Sequence, residues 1–148
     1  AREYVEKKLG KDKEKVSIEF LHRIIKHKPN WVAWLMSYKA EWTKDLIELG
    51  ADVHADNDYA LRSASGNGRT EVVKLLLDAG ANVHANNNYT LQWASYNGHT
   101  EVVKLLLDAG ADVHANNNYA LCWASRNGHT ETVKVLEKHI EKLKKQKS

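Results

Sequence analysis

One cysteine, Cys122, occurs in the 148-residue chain, so no internal disulfide can form and a reducing, cytoplasmic setting is expected. The single proline, Pro29, offers one hard helix stop. No apolar run approaches the roughly 18 residues that span a bilayer, and the stretch from Ala1 lacks the apolar core of a secretory leader, so no membrane role is expected. Strong charge of one sign is missing too. The formal net charge is +3, with much of the excess between Lys138 and Lys147, so the body lacks the basic footprint of a nucleic-acid binder. No residue pattern implies a cofactor.

What is present is a core and a period. Hydrophobic residues make up 43% of the chain and charged residues 28%, enough for one soluble, ordered domain, expected to be a monomer. Residues 54–83 and 84–113 match without a gap at 22 of 30 positions, and residues 114–136 match 84–106 at 18 of 23. Each unit has room for two helices. In the middle unit the first is expected to begin near Tyr89, with Asn88 as its N-cap, and to end at Asn97-Gly98. The second should run from Thr100, also read as an N-cap, to about Ala109, closed by Gly110. Its Val102, Val103, Leu105, Leu106 and Leu107 form an apolar face too wide for an exposed helix, while Glu101, Lys104 and Asp108 fall opposite. Stacked copies bury such a face as one continuous core.

The run from Gly98 through His99-Thr100-Glu101-Val102-Val103-Lys104 to Leu107, followed by Gly110-Ala111-Asp112-Val113, resembles the second helix and exit turn of an ankyrin repeat. The resemblance covers about residues 31–136 and implies an all-α ankyrin-type helical solenoid that binds a protein partner through a groove lined by its first helices. The sequence departs from the family in two ways. Tyr59-Ala60-Leu61-Arg62 and its counterparts at Tyr89 and Tyr119 replace the usual Thr-Pro-Leu-His opening, and each unit is three residues short of 33. The deletion falls in the connecting finger, so short Asn-rich turns should replace full β-hairpins. The units are similar to those of giant-virus ankyrin proteins, and their near identity also suits recent duplication or consensus engineering.

One domain over 1–148 is expected. Residues 1–29 form an N-terminal cap, with helices from Arg2 to Leu9 and from Lys13 to Lys28, the latter stopped by Pro29. Residues 30–53 form a degenerate repeat, and regular units occupy 54–83, 84–113 and 114–136. Residues 137–148 extend the last helix, with Glu137, Lys138, Glu141 and Lys142 sealing the stack, and end in a basic tail of solvated lysines.

Five of the eight differences between the first two regular units fall at 60/90, 62/92, 63/93, 66/96 and 69/99, along the first helix and its exit. The resulting grid, Arg62, Gly66, Gln92, Tyr96 and Arg126 with the exposed parts of Trp93 and Trp123, is the candidate binding surface. The tryptophans themselves are expected to pack mainly between helices, as are Trp31, Trp34 and Trp42. Drift at exposed positions is the competing explanation of the grid. His54, His84 and His114 are assigned to turn contacts, because units stacked roughly 8–10 Å apart cannot share one metal ion, and His99 and His129 to bonds with neighbouring backbone. Two rival functions remain. One is a cryptic or engineered esterase built on Cys122 with Arg126, Gln92 and His129 in support; the other is a designed repeat scaffold without a natural partner.

Overall fold

The computed structural model describes residues 18–148. The expected helix from Arg2 to Leu9 and the beginning of the one expected from Lys13, including Val16, lie outside the described residues. Among the described residues nine helices follow in chain order: α1 Ile18–His27, α2 Pro29–Met36, α3 Ala40–Glu48, α4 Ala55–Gly66, α5 Thr70–Asp78, α6 Ala85–Tyr96, α7 Thr100–Asp108, α8 Ala115–Arg126 and α9 Thr130–Gln146. No strand occurs among the described residues, so the short turns expected in place of β-hairpins are what connects the units. No described helix is long and apolar enough to cross a membrane.

The helices form two rows. First helices pack in series, α2 on α4, α4 on α6 and α6 on α8, and second helices do the same, α3 on α5, α5 on α7 and α7 on α9. Between the rows runs one core, in which Leu61, Leu91, Val73, Val103, Leu76, Leu106 and Leu136 are fully buried. The wide apolar face read from the sequence is the cause: Val102, Val103, Leu106 and Leu107 are buried on α7 and Leu105 is half-buried, while Glu101 and Lys104 point outward and pair at 2.7 Å. Burying a branched aliphatic side chain contributes about 1.5–3 kcal/mol, so repeated ridges of this kind hold the stack together. On α9, Glu137, Lys138, Glu141 and Lys142 are exposed, while Ile140 and Leu143 close over the end of the core.

Three local readings need correction. Pro29 does not merely stop a helix: α1 ends at His27, and Pro29 opens α2 at the first helical position, where its missing N–H has no helical partner to lose. Thr100 is not an N-cap. It lies inside α7, whose capping position is His99 with no side-chain cap, and its hydroxyl lies 2.8 Å from that of Thr132 in the next unit.

Asn88 is not an N-cap either. Asp56-Asn57-Asp58, Asn86-Asn87-Asn88 and Asn116-Asn117-Asn118 each have three consecutive residues in the left-handed region, with φ between 52° and 61°. The right-handed parts of α4, α6 and α8 begin only after them. Left-handed backbone costs an L-residue roughly 1–2 kcal/mol, least for Asn and Asp, which explains the composition of these turns. Side chains hold them in place. The Asp52, Asn82 and Asp112 side chains each accept the N–H two residues on at 2.9 Å. His54, His84 and His114 then bond through Nδ1 to Asp58, Asn88 and Asn118 at 3.0, 2.8 and 2.7 Å, so these histidines do serve the turns. Asp58, only 4% exposed, also accepts the N–H of Asn82 at 2.8 Å, tying the turn that opens the unit to the segment that follows its second helix.

A second link repeats at the exit of each first helix. Arg69 donates to the Ser37 carbonyl at 2.6 Å, His99 to Gly66 at 3.0 Å and His129 to Tyr96 at 2.8 Å. Each side chain reaches back to the last turn of the preceding first helix, whose terminal carbonyls lack helical partners. The backbone role read for His99 and His129 therefore holds. Position 69/99/129 varies between Arg and His because both supply the same donor.

Candidate functional site

Three residues per unit set the exposed face of the first-helix row. The position at 62/92/122 lies one helical turn past the left-handed segment, and its side chain can fold back over that segment's carbonyls. Arg62 does so, donating to the carbonyls of Asn57 and Asp56 at 3.0 Å each. Gln92 makes one long bond of 3.4 Å to the Asn87 carbonyl. Cys122 makes no hydrogen bond to a described residue and stands exposed. The first variable position is thus partly a cap on the turn. Gln92 is 8% exposed and forms floor, not rim.

The next position is Ser63, Trp93 or Trp123. The expectation that Trp93 packs between helices is overturned: it is 48% exposed. Its neighbour in the preceding unit explains why. Gly66 has no side chain to cover the indole, and the space where its Cβ would stand is 3.8 Å from Trp93 Cβ. Trp123 is half-buried because Tyr96 fills the equivalent space, with ring centroids 5.4 Å apart in an edge-to-face arrangement. Tyr96 also meets Trp93 edge-to-face at 5.7 Å, and Tyr119 lies 6.2 Å from Trp123. Edge-to-face pairs contribute about 0.5–1.5 kcal/mol beyond their buried area, so the cluster is ordered although Trp93, Tyr96 and Tyr119 are exposed.

These side chains line a cleft of about 420 Å³ between the second and third regular units, formed by Tyr89, Gln92, Trp93, Tyr96, Tyr119 and Trp123. Arg126 lies on its margin with the guanidinium carbon 5.2 Å from the Trp123 ring centroid. The structure therefore brings together Gln92, Trp93, Tyr96, Trp123 and Arg126 from the candidate surface. Arg62 and Gly66 lie one unit away, on the same row with Ser63. Tyr89 and Tyr119 were not singled out, since tyrosine recurs unchanged in every unit and variation could not mark it. The i, i+4 spacing of Tyr89 with Trp93 and Tyr119 with Trp123 carries the signal that would have found them.

The cap tryptophans divide. Trp34 and Trp42 are half-buried and stack on Tyr38 at 5.8 Å each, with Arg69 4.8 Å from the Tyr38 ring centroid, in keeping with a packing role. Trp31 is 38% exposed beside Lys28, contrary to the core expectation, because it starts the row with no described unit outside it.

The groups expected to support Cys122 have other partners. His129 spends Nε2 on the Tyr96 carbonyl, Gln92 bonds the Asn87 carbonyl, and Arg126 stacks on Trp123. A nucleophile needs a base within about 2.6–3.2 Å, and no described side chain hydrogen-bonds the Cys122 thiol. On α9 the hydrogen bond from Lys134, then its charge, lowers the Glu131 carboxyl below the ordinary value, and Glu131 raises Lys134 in return.

A family model of ankyrin repeats in three copies fits residues 21–117. Among curated proteins none matches the chain.

Proposed function

The chain belongs to the ankyrin repeat family, whose members generally serve as protein-interaction modules, and from that premise we propose that it binds a protein partner through the groove along its first helices. The observation that carries this reading is the aromatic cleft. Soluble proteins seldom leave adjacent large rings open to water without use, and here Trp93, Tyr96 and Tyr119 are all exposed. Tryptophan and tyrosine are the side chains that dominate interface energetics. A groove already ordered by edge-to-face contacts and unit-to-unit bonds loses little freedom on association. In this reading the helices before α4 and the end of α9 act as caps, and the units between them carry recognition.

A random linear peptide library displayed against the full chain tests the proposal. Selected ligands should lose at least about tenfold in affinity when Tyr96→Ala and Arg126→Ala are combined. Lys74→Ala, on the second-helix row, should leave binding unchanged, and the melting temperature of the double variant should stay close to that of the parent. Ligands that bind the double variant as well as the parent would remove the groove from the function.

A further inference from the structure

The charge around the cleft narrows what it can hold. Residues 84–99 and 114–130, which build its walls and floor, contain no Asp or Glu, and the carboxylates of those units are Glu101, Asp108, Asp112 and Glu131, on the second helices or the turns after them. Glu101 and Glu131 are further neutralised by Lys104 and Lys134. Arg126 sits at the cleft margin with no carboxylate partner among the described residues, and Arg62 lies further along the row. The local field is positive and the lining aromatic. At the floor, Gln92 donates through Nε2 to the Asn87 carbonyl, while its Oε1 accepts nothing from a described residue. Gln92 as a whole is more than nine-tenths buried yet lines the cleft, and a free acceptor there favours an occupant with a donor of its own.

Resting on the groove reading above, we infer that the cleft takes an aromatic side chain with an N–H or O–H, tryptophan or tyrosine, from an extended acidic peptide segment of the partner. The ring seats among Trp93, Tyr96 and Trp123, and its polar hydrogen reaches Gln92. A flanking carboxylate pairs with Arg126, in whose fork a carboxylate can be held by two N–H groups. Beyond Trp93 the row continues over the small residues Ser63 and Gly66, which leaves a path for extended chain.

Two other occupants fit less well. A quaternary ammonium would find rings here but no carboxylate, and Arg126 already faces Trp123, so a second cation would be repelled. Single-stranded nucleic acid would find stacking surfaces, but one arginine at the cleft gives none of the continuous positive track its phosphates need.

Fluorescence anisotropy with the full chain and a labelled peptide, Gly-Asp-Glu-Trp-Glu-Asp-Gly, tests the inference. Affinity should exceed that of the peptides with Ala for Trp, or Lys for the acidic residues, by about tenfold or more. Tyr96→Ala should weaken binding by about tenfold. Arg126→Glu, an exposed change that cannot empty the core, should weaken it by about fivefold and shift preference toward the lysine peptide. Tighter binding of the lysine peptide, of a trimethyllysine peptide or of oligothymidylate would overturn the inference, as would affinity indifferent to both variants. If the acidic tryptophan peptide fails to bind while library-selected ligands of other composition still depend on Tyr96 and Arg126, the occupant is wrong and the groove reading stands. If no ligand depends on them, both fall.

Discussion

Replacing Gly98 by alanine tests the unit-to-unit link directly, because Gly128 supplies a matched control. Both glycines stand at the exit of a first helix in left-handed backbone, with φ of +71° and +73°. A methyl on Gly98 would lie 2.5 Å from His129 Nδ1 and 2.7 Å from its Cγ, whereas one on Gly128 meets nothing within 4 Å. Gly128→Ala should therefore cost only the backbone term, about 1–2 kcal/mol. Gly98→Ala adds displacement of the His129 ring and loss of its 2.8 Å bond to the Tyr96 carbonyl, together about 2 kcal/mol more. For a chain of this size each kcal/mol lowers the melting temperature by about 2–4 °C, so the Gly98 variant should melt roughly 4–8 °C below the Gly128 variant. Thermal unfolding followed by far-ultraviolet circular dichroism measures the gap, and in a His129→Ala background it should close. Equal losses in the two variants, or a gap that persists without the imidazole, would refute the link.

Arginine at position 62 caps two carbonyls of its left-handed turn, so Cys122→Arg should install the same cap in the third unit. The expected gain is about 0.5–1 kcal/mol, read as a rise in the urea midpoint, with no change in helix content. At Asn117, which holds φ of 59°, Asn117→Ala should lower the midpoint by about 1 kcal/mol while Asn117→Gly leaves it level or higher; the reverse order would argue against the left-handed turn. The Glu131 carboxyl should titrate below an ordinary glutamate by carbon NMR and return toward it in Lys134→Ala. Because its folded value is depressed, the pair's small stabilising effect is complete above the ordinary glutamate range and disappears as pH falls through the lowered value.

The fold was legible because one physical demand recurs every 30 residues: the wide apolar face of the second helix cannot be buried without a neighbour, and the repeat supplies one. The candidate cleft was half legible. Variation marked Trp93, Tyr96 and Arg126 because exposed positions tolerate change, and it passed over Tyr89 and Tyr119 because they do not vary. Trp93 was misassigned because its residue type speaks for burial, while the vacancy that exposes it is created by a glycine 27 positions earlier. The Asn-rich turns were misread for a related reason. Asparagine is favoured both at helix N-caps and in left-handed backbone, and only contacts with His84 and its counterparts decide between the two.

The back-reaching bonds of Arg69, His99 and His129 all end on main-chain oxygen, which every amino acid possesses. Apart from the glycine that makes room for each imidazole, no unit therefore needs to recognise the side-chain identity of the one before it at this joint. Copies could be duplicated, deleted or reordered as interchangeable cassettes while the exposed row changes freely, so a chain like this can lengthen its reading surface one module at a time without renegotiating its joints.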